Sequence, residues 1–178
     1  MEQIKEFEVG LSLEKKDDLT KLLINKEYDL VTLNRIGLTS DNHDVYNDRI
    51  MFPLYDINGK VVGFSGRIYK NNGQNKYVNT KETDIFKKGE LLYHYHIAKE
   101  ECRIKKSVII MEGFMDVIRL ASIDIRNTVA LMGTALTKEQ IKGIFSGKIT
   151  TANPATMLQM HRDVTVIVDE AAAKLINK

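Results

Sequence analysis

The stretch Val108-Ile109-Ile110-Met111-Glu112-Gly113-Phe114-Met115-Asp116 decides how this chain folds. Its opening apolar run is short, unbroken and rich in β-branched residues, which predicts a strand buried on both faces. From Phe114 to Leu120 the apolar residues recur at helical spacing, so a helix follows directly. Glu112 then stands at the carboxyl end of the strand, the edge of a parallel α/β sheet where ligands bind. Gly113 allows a tight turn and a close approach there. Asp116 falls in the first turn of the helix, where a carboxylate complements the helix dipole. Two carboxylates meeting at such an edge suit a hard cation with oxygen ligands, such as Mg²⁺. Simple capping chemistry explains the same residues and is common, so this stretch alone leaves both readings open.

Outward from it, Thr128 to Leu131 reads as a second strand and Thr137 to Phe145 as a second helix, giving a βαβα unit with a parallel sheet. Gly133 and Thr134 follow that second strand, where backbone amides and a hydroxyl could cradle phosphate, or form an ordinary strand-to-helix turn with Thr137 as cap. Upstream, residues 12–27 read as a helix with Ser12 as cap and Leu19, Leu22 and Leu23 on one face. A short helix from Leu30 to Ile36 stops at Gly37. Residues 39–48 form a polar connection. Arg49 to Tyr55 and Lys60 to Tyr69 form two strands joined around Asn58-Gly59, a strong hairpin signal. Residues 71–75 are a further turn, and Leu92 to Cys102 a helix that puts His94 and His96 on different faces, which argues against a metal pair.

The formal charge of +2 hides an asymmetry. Residues 1–48 carry net −5, residues 49–106 net +6 and residues 107–178 net +1. Positive charge concentrated ahead of an acidic site attracts phosphate backbones. Lys70, Lys99, Lys105 and Lys106 read as ordinary solvated surface. Arg67, by contrast, follows Gly63-Phe64-Ser65-Gly66, small residues that free its guanidinium to grip a phosphate bidentately. Lys76-Tyr77-Val78-Asn79 adds a point charge, an aromatic face and an amide. No long apolar run or signal segment occurs, and the single cysteine, Cys102, excludes a disulfide framework or a cysteine-rich zinc site, which suits a reducing cytoplasm and a chain with no membrane partner.

Three ordered strings carry a family likeness: Asp48-Arg49-Ile50-Met51-Phe52-Pro53-Leu54, then Val61-Val62-Gly63-Phe64-Ser65-Gly66-Arg67 with Lys76-Tyr77-Val78-Asn79-Thr80, and then Glu112-Gly113-Phe114-Met115-Asp116 with Val129-Ala130-Leu131-Met132-Gly133-Thr134. In that order and spacing, from about residue 7 to 144, the chain resembles the catalytic core of bacterial DnaG-type primases. The resemblance implies an α/β fold: an α+β, basic amino-terminal lobe over residues 1–106, then a shortened Toprim-like βαβα domain over residues 107–178. It implies RNA primer synthesis on single-stranded DNA from ribonucleoside triphosphates by metal-dependent nucleotidyl transfer. Glu112, Asp116 and Asp169 would be the catalytic and metal-holding carboxylates, with Mg²⁺ or Mn²⁺ as cofactor. Arg67, Lys76, Tyr77, Asn79, Gly133 and Thr134 would contact template or nucleotide. The zinc-binding and helicase-binding domains of such primases have no counterpart in these residues.

After about residue 144 the pattern departs from the family. Val164-Thr165-Val166-Ile167-Val168 is a convincing strand, yet it ends in Asp169-Glu170-Ala171 where the family has an acidic-Gly-acidic triplet. Glu170 leaves the strand on the opposite face from Asp169 and is no simple replacement. Three carboxylates serve one Mg²⁺ more readily than the pair of cations that two-metal transfer uses. The sequence therefore supports two functional expectations: a primase core, impaired by its shortening, or a non-catalytic remnant that binds single-stranded DNA or replication partners. A Toprim nuclease is the third reading, and the upstream basic strings argue against it.

Overall fold

The computed structural model describes residues 2–71 and 73–132, and its contacts divide them into two units. The first unit takes residues 2–54 and Val61–Lys87. Along it run α1 (Glu2–Glu6), β1 (Gly10–Ser12), α2 (Asp18–Asn25), α3 (Leu30–Arg35), β2 (Thr39–Ser40), β3 (His43–Asp44), β4 (Arg49–Tyr55), β5 (Val61–Ile68) and β6 (Tyr77–Asn79). Its main sheet has the order β1-β4-β5-β6, with β1 antiparallel to β4 and β5 antiparallel to β6. Phe52, Leu54 and Phe86 are buried in this unit along with Phe7 and Leu33. The hairpin expected around Asn58-Gly59 is present, with Gly59 at φ +77°.

Two local expectations fail here for the same reason, a partner distant in sequence. Ser12 does not cap a helix. It ends β1, where its hydroxyl accepts from Arg49 N (3.0 Å) and donates to Arg49 O (3.2 Å). The helix begins instead at Asp18, and the amides of Leu19 and Thr20 donate to the Asp44 carboxylate (2.9 and 2.8 Å) on β3. Residues 39–48 are more than a connection: β2 and β3 pair antiparallel across Asp41 and Asn42, both in the left-handed region. By contrast α3 follows its local signals, with the Asp29 carboxylate accepting from Thr32 N (2.8 Å) at its start and Gly37 just past its end.

The second unit takes Tyr55–Lys60 and the described residues from Lys88 onward. After a single 3₁₀ turn at Lys88–Glu90 come β7 (Leu92–Tyr93), α4 (Tyr95–Lys105), β8 (Ile109–Met111), α5 (Phe114–Ala121) and β9 (Thr128–Leu131). The sheet order is β7-β9-β8. β8 and β9 are parallel, as expected of a strand-helix-strand crossover, but β7 runs antiparallel to β9, so the sheet is mixed. This corrects the reading of residues 92–102. The segment starts as a strand, and the chain turns at His94, which is left-handed at φ +68°, before α4 begins. Because β7 pairs with β9, the residues from Lys88 pack in one unit with the strands that follow residue 106. The burial on both faces expected of the run from Val108 is not met by β8, which alternates with Ile109 and Met111 partly open, while the four residues of β9 are all buried. Gly133, Thr134, Thr137 and Asp169, with the helix expected at 137–145 and the strand at 164–168, lie outside the described residues.

Candidate functional site

In the second unit the expected carboxylates fall at the carboxyl end of β8, which runs parallel to β9. Phe114, Val117 and Ala121 anchor α5 against the sheet, with the Phe114 and Tyr93 rings 5.2 Å apart. The opposite side of α5 is exposed and carries Met115, Asp116 and Arg119. Glu112, one residue past β8, is exposed as well. Gly113 between them is extended (φ −113°, ψ 139°), a conformation open to any residue, so the expected tight turn is not what requires glycine. A Cβ at Gly113 would lie 3.2 Å from Asp116 Oδ2, so the carboxylate would have to shift by a few tenths of an ångström. The Asp116 carboxylate thus lies close beside Gly113. Asp116 N in turn donates to Gly113 O (3.1 Å).

These two carboxylates and their exposed setting fit a divalent cation with oxygen ligands. Among the described residues no group of three or more His, Cys, Asp or Glu side chains is assembled for a metal. The third expected ligand, Asp169, lies outside those residues. The rings of His94 and His96 are 6.1 Å apart, edge to face, and the His96 ring lies 4.4 Å from that of Tyr55, tilted by 32°. Burial lowers the His94 pKa from its ordinary value of 6.5, against the pull of its hydrogen bond to the Thr128 backbone. Cys102 is fully buried in α4 and its thiol is pushed up to about 11, chiefly by desolvation, the setting of a structural cysteine.

The first unit gathers the basic candidates on the β5–β6 pair. Arg67 and Tyr77 are register partners, and the Arg67 guanidinium lies over the Tyr77 ring at 5.3 Å. That cation–π contact fixes a long side chain that would otherwise sample many rotamers, and it occupies one face of the aromatic ring. Ser65 and Asn79 form the next-but-one pair of the register on the same face. Lys76 precedes β6 and is exposed.

One contributor was not among the expected site residues. Arg49 is 4% exposed, and its guanidinium donates to Asn75 O (3.0 Å), Gln74 Oε1 (3.1 Å) and Gly66 O (3.4 Å). It ties the loop before Lys76 to β5. Gly66 makes room for it, since a Cβ there would sit 3.0 Å from Arg49 Cδ. The sequence signal was the arginine inside Asp48-Arg49-Ile50-Met51-Phe52-Pro53, but its positioning role depends on a partner loop about 25 residues away.

Residues 1–99 match the family described as DNA primase catalytic core, N-terminal domain, and residues 106–169 match the Toprim domain. The chain belongs to the DnaG-type DNA primases. A DNA primase of Geobacillus stearothermophilus is 40% identical over 146 residues, covering 79% of this chain and 24% of that protein. A solved DnaG catalytic core superposes with a TM-score of 0.78 at 30% identity, covering 98% of this chain and 53% of that one. A DnaG primase catalytic domain bound to single-stranded DNA gives the same TM-score and identity, covering 98% and 52%. The chain thus spans about a quarter of the length of the primases it matches and about half of the solved cores. The α/β reading of its fold holds, and no helix among the described residues is long and apolar enough to cross a membrane.

Proposed function

We propose that this chain is the catalytic portion of a DNA primase, joining ribonucleotides into short primers on a single-stranded DNA template. The observation that carries the reading is the placement of two carboxylates at one edge: Glu112 directly after β8, and Asp116 in the first turn of α5 with its Oδ2 beside Gly113. Its setting within a matched primase core favours the metal-holding reading over simple capping.

Glu112 and Asp116, joined by Asp169, would hold Mg²⁺ or Mn²⁺. Bound there, the cation supplies positive charge against the triphosphate and the departing pyrophosphate. The chain's own residues do the rest of the positioning. Arg67, held by Tyr77, offers a flat pair of donors to a backbone phosphate, and Lys76 offers a mobile point charge. Asn79 supplies an amide to a sugar or base, and Gly133 and Thr134 would receive nucleotide phosphate. The primase relative solved with single-stranded DNA supports that choice of template.

The test is Mg²⁺-dependent ribonucleotide incorporation on a single-stranded template by the full chain. Glu112→Gln, an isosteric change at an exposed position, is expected to lower the rate about 10²-fold or more without altering thermal stability. Metal-dependent incorporation that survives Glu112→Gln would remove the carboxylate from the reaction. Salt-sensitive DNA binding with no incorporation would leave a binding protein and overturn the polymerase reading.

A further inference from the structure

Two buried polar atoms of the first unit have no hydrogen-bond partner among the described residues: the Ser65 hydroxyl oxygen and the Asn79 carbonyl oxygen Oδ1. They lie on register partners, Ser65 of β5 and Asn79 of β6. Native folds leave few such atoms, so two of them on directly opposed residues call for an explanation. Their chemistry is complementary, because a hydroxyl donates and an amide oxygen only accepts. Opposed Cβ atoms in an antiparallel pair are about 4.5–5.5 Å apart, and a staggered χ1 change of Ser65 carries its hydroxyl across that gap.

An asparagine side chain has a donor end and an acceptor end, and its neighbours decide which faces outward. Ser65 is wholly buried while Asn79 is half-buried. With Oδ1 turned inward, the amide nitrogen is the solvent-side end, on the face that also carries Arg67 and Tyr77.

We propose that Ser65 is a positioning residue: its hydroxyl donates to Asn79 Oδ1 in the nucleic-acid complex, holding the Asn79 amide nitrogen outward as a donor to phosphate or base-carbonyl oxygens. The assignment rests on the reading of Asn79 and Arg67 as nucleic-acid contacts. An inverted amide would present an acceptor beside Arg67, which is useless against phosphate. The inward hydroxyl selects the useful orientation without touching the ligand, and it stays orphaned until the pair closes.

Binding of fluorescein-labelled oligo(dT) to the full chain, followed by anisotropy over a range of salt, tests this with Ser65→Ala, Asn79→Ala, their combination, Ser65→Thr and Arg67→Ala. Ser65→Ala is expected to weaken binding about 3–10-fold, as loss of one neutral hydrogen bond does. The double variant should bind no more weakly than Asn79→Ala alone, since the serine acts only through the amide. The salt slope of Ser65→Ala should equal that of the parent chain because no charge is lost. Its thermal midpoint should stay level or rise, a buried orphan hydroxyl having been removed, which sets positioning apart from structural damage. Ser65→Thr, which keeps the hydroxyl, should restore affinity. Parent-like binding by Ser65→Ala, or an effect additive with Asn79→Ala, overturns the assignment alone. Parent-like binding by both Asn79→Ala and Arg67→Ala overturns the nucleic-acid surface as well.

Discussion

Gly113 differs from what its sequence setting suggests. A glycine beside Glu112 suggests a sharp turn, yet its backbone is extended and an alanine could adopt it without strain. The constraint is a steric one from the neighbouring carboxylate: a Cβ would lie 3.2 Å from Asp116 Oδ2, which must give by a few tenths of an ångström. Gly113→Ala should therefore leave the thermal midpoint within about 2 °C of the parent while lowering ribonucleotide incorporation about tenfold, through a carboxylate displaced by a few tenths of an ångström. A loss of stability matching the loss of activity would show that the glycine serves the fold and not the site. Glu112 and Asp116 were legible because strand end and first helical turn are both local properties. The buried role of Arg49 and the orphan pair Ser65 and Asn79 were not, because strand register creates them.

Elements followed the sequence wherever their signals were local. The β4–β5 hairpin, α3, α5 and β9 carry their own turn residues, caps and apolar spacing. The amino end of α2 and the strand β7 do not. The first is capped by Asp44 from β3, and the second is two residues long and exists only by pairing with β9. The junction of β7 and α4 is also where a titration should register. Burial keeps His94 neutral in the fold and lowers its pKa below the ordinary 6.5, with Arg126 adding repulsion. As pH falls through 6.5 the unfolded chain takes up a proton that the folded chain refuses, so stability declines from there and the loss is complete below the folded value. Thermal midpoints measured from pH 7.5 down to about 5 should fall in the parent chain and fall less in His94→Asn, asparagine being tolerant of the left-handed backbone at that position. Equal slopes for the two proteins would assign the acid sensitivity elsewhere.

Across the whole molecule, the charge asymmetry is the property that sequence alone made visible, and the structure sharpens what it implies. Residues 49–106 hold the excess of positive charge, net +6 against net −5 ahead of them. Several of these cations already have an acid at hand: Lys70 sits 3.5 Å from Asp48, Arg103 2.5 Å from Glu100 and Lys105 3.7 Å from Glu101. Exposed pairs of this kind contribute little to stability, but each must give up or share its carboxylate to meet a phosphate. Arg67, braced on Tyr77, and the exposed Lys76 are placed on the β5–β6 pair instead. If binding to single strands depended on net charge, every one of these cations would contribute alike. If it depends on the β5–β6 surface, only the second group does. For single-stranded DNA the logarithm of affinity falls with the logarithm of salt by about 0.7 per phosphate neutralised. Arg67→Ala and Lys76→Ala should each reduce that slope by about 0.7 and weaken binding at low salt, whereas Lys105→Ala should leave both unchanged. The same loss of slope in all three would return the argument to overall charge and take the phosphate contact away from β5–β6.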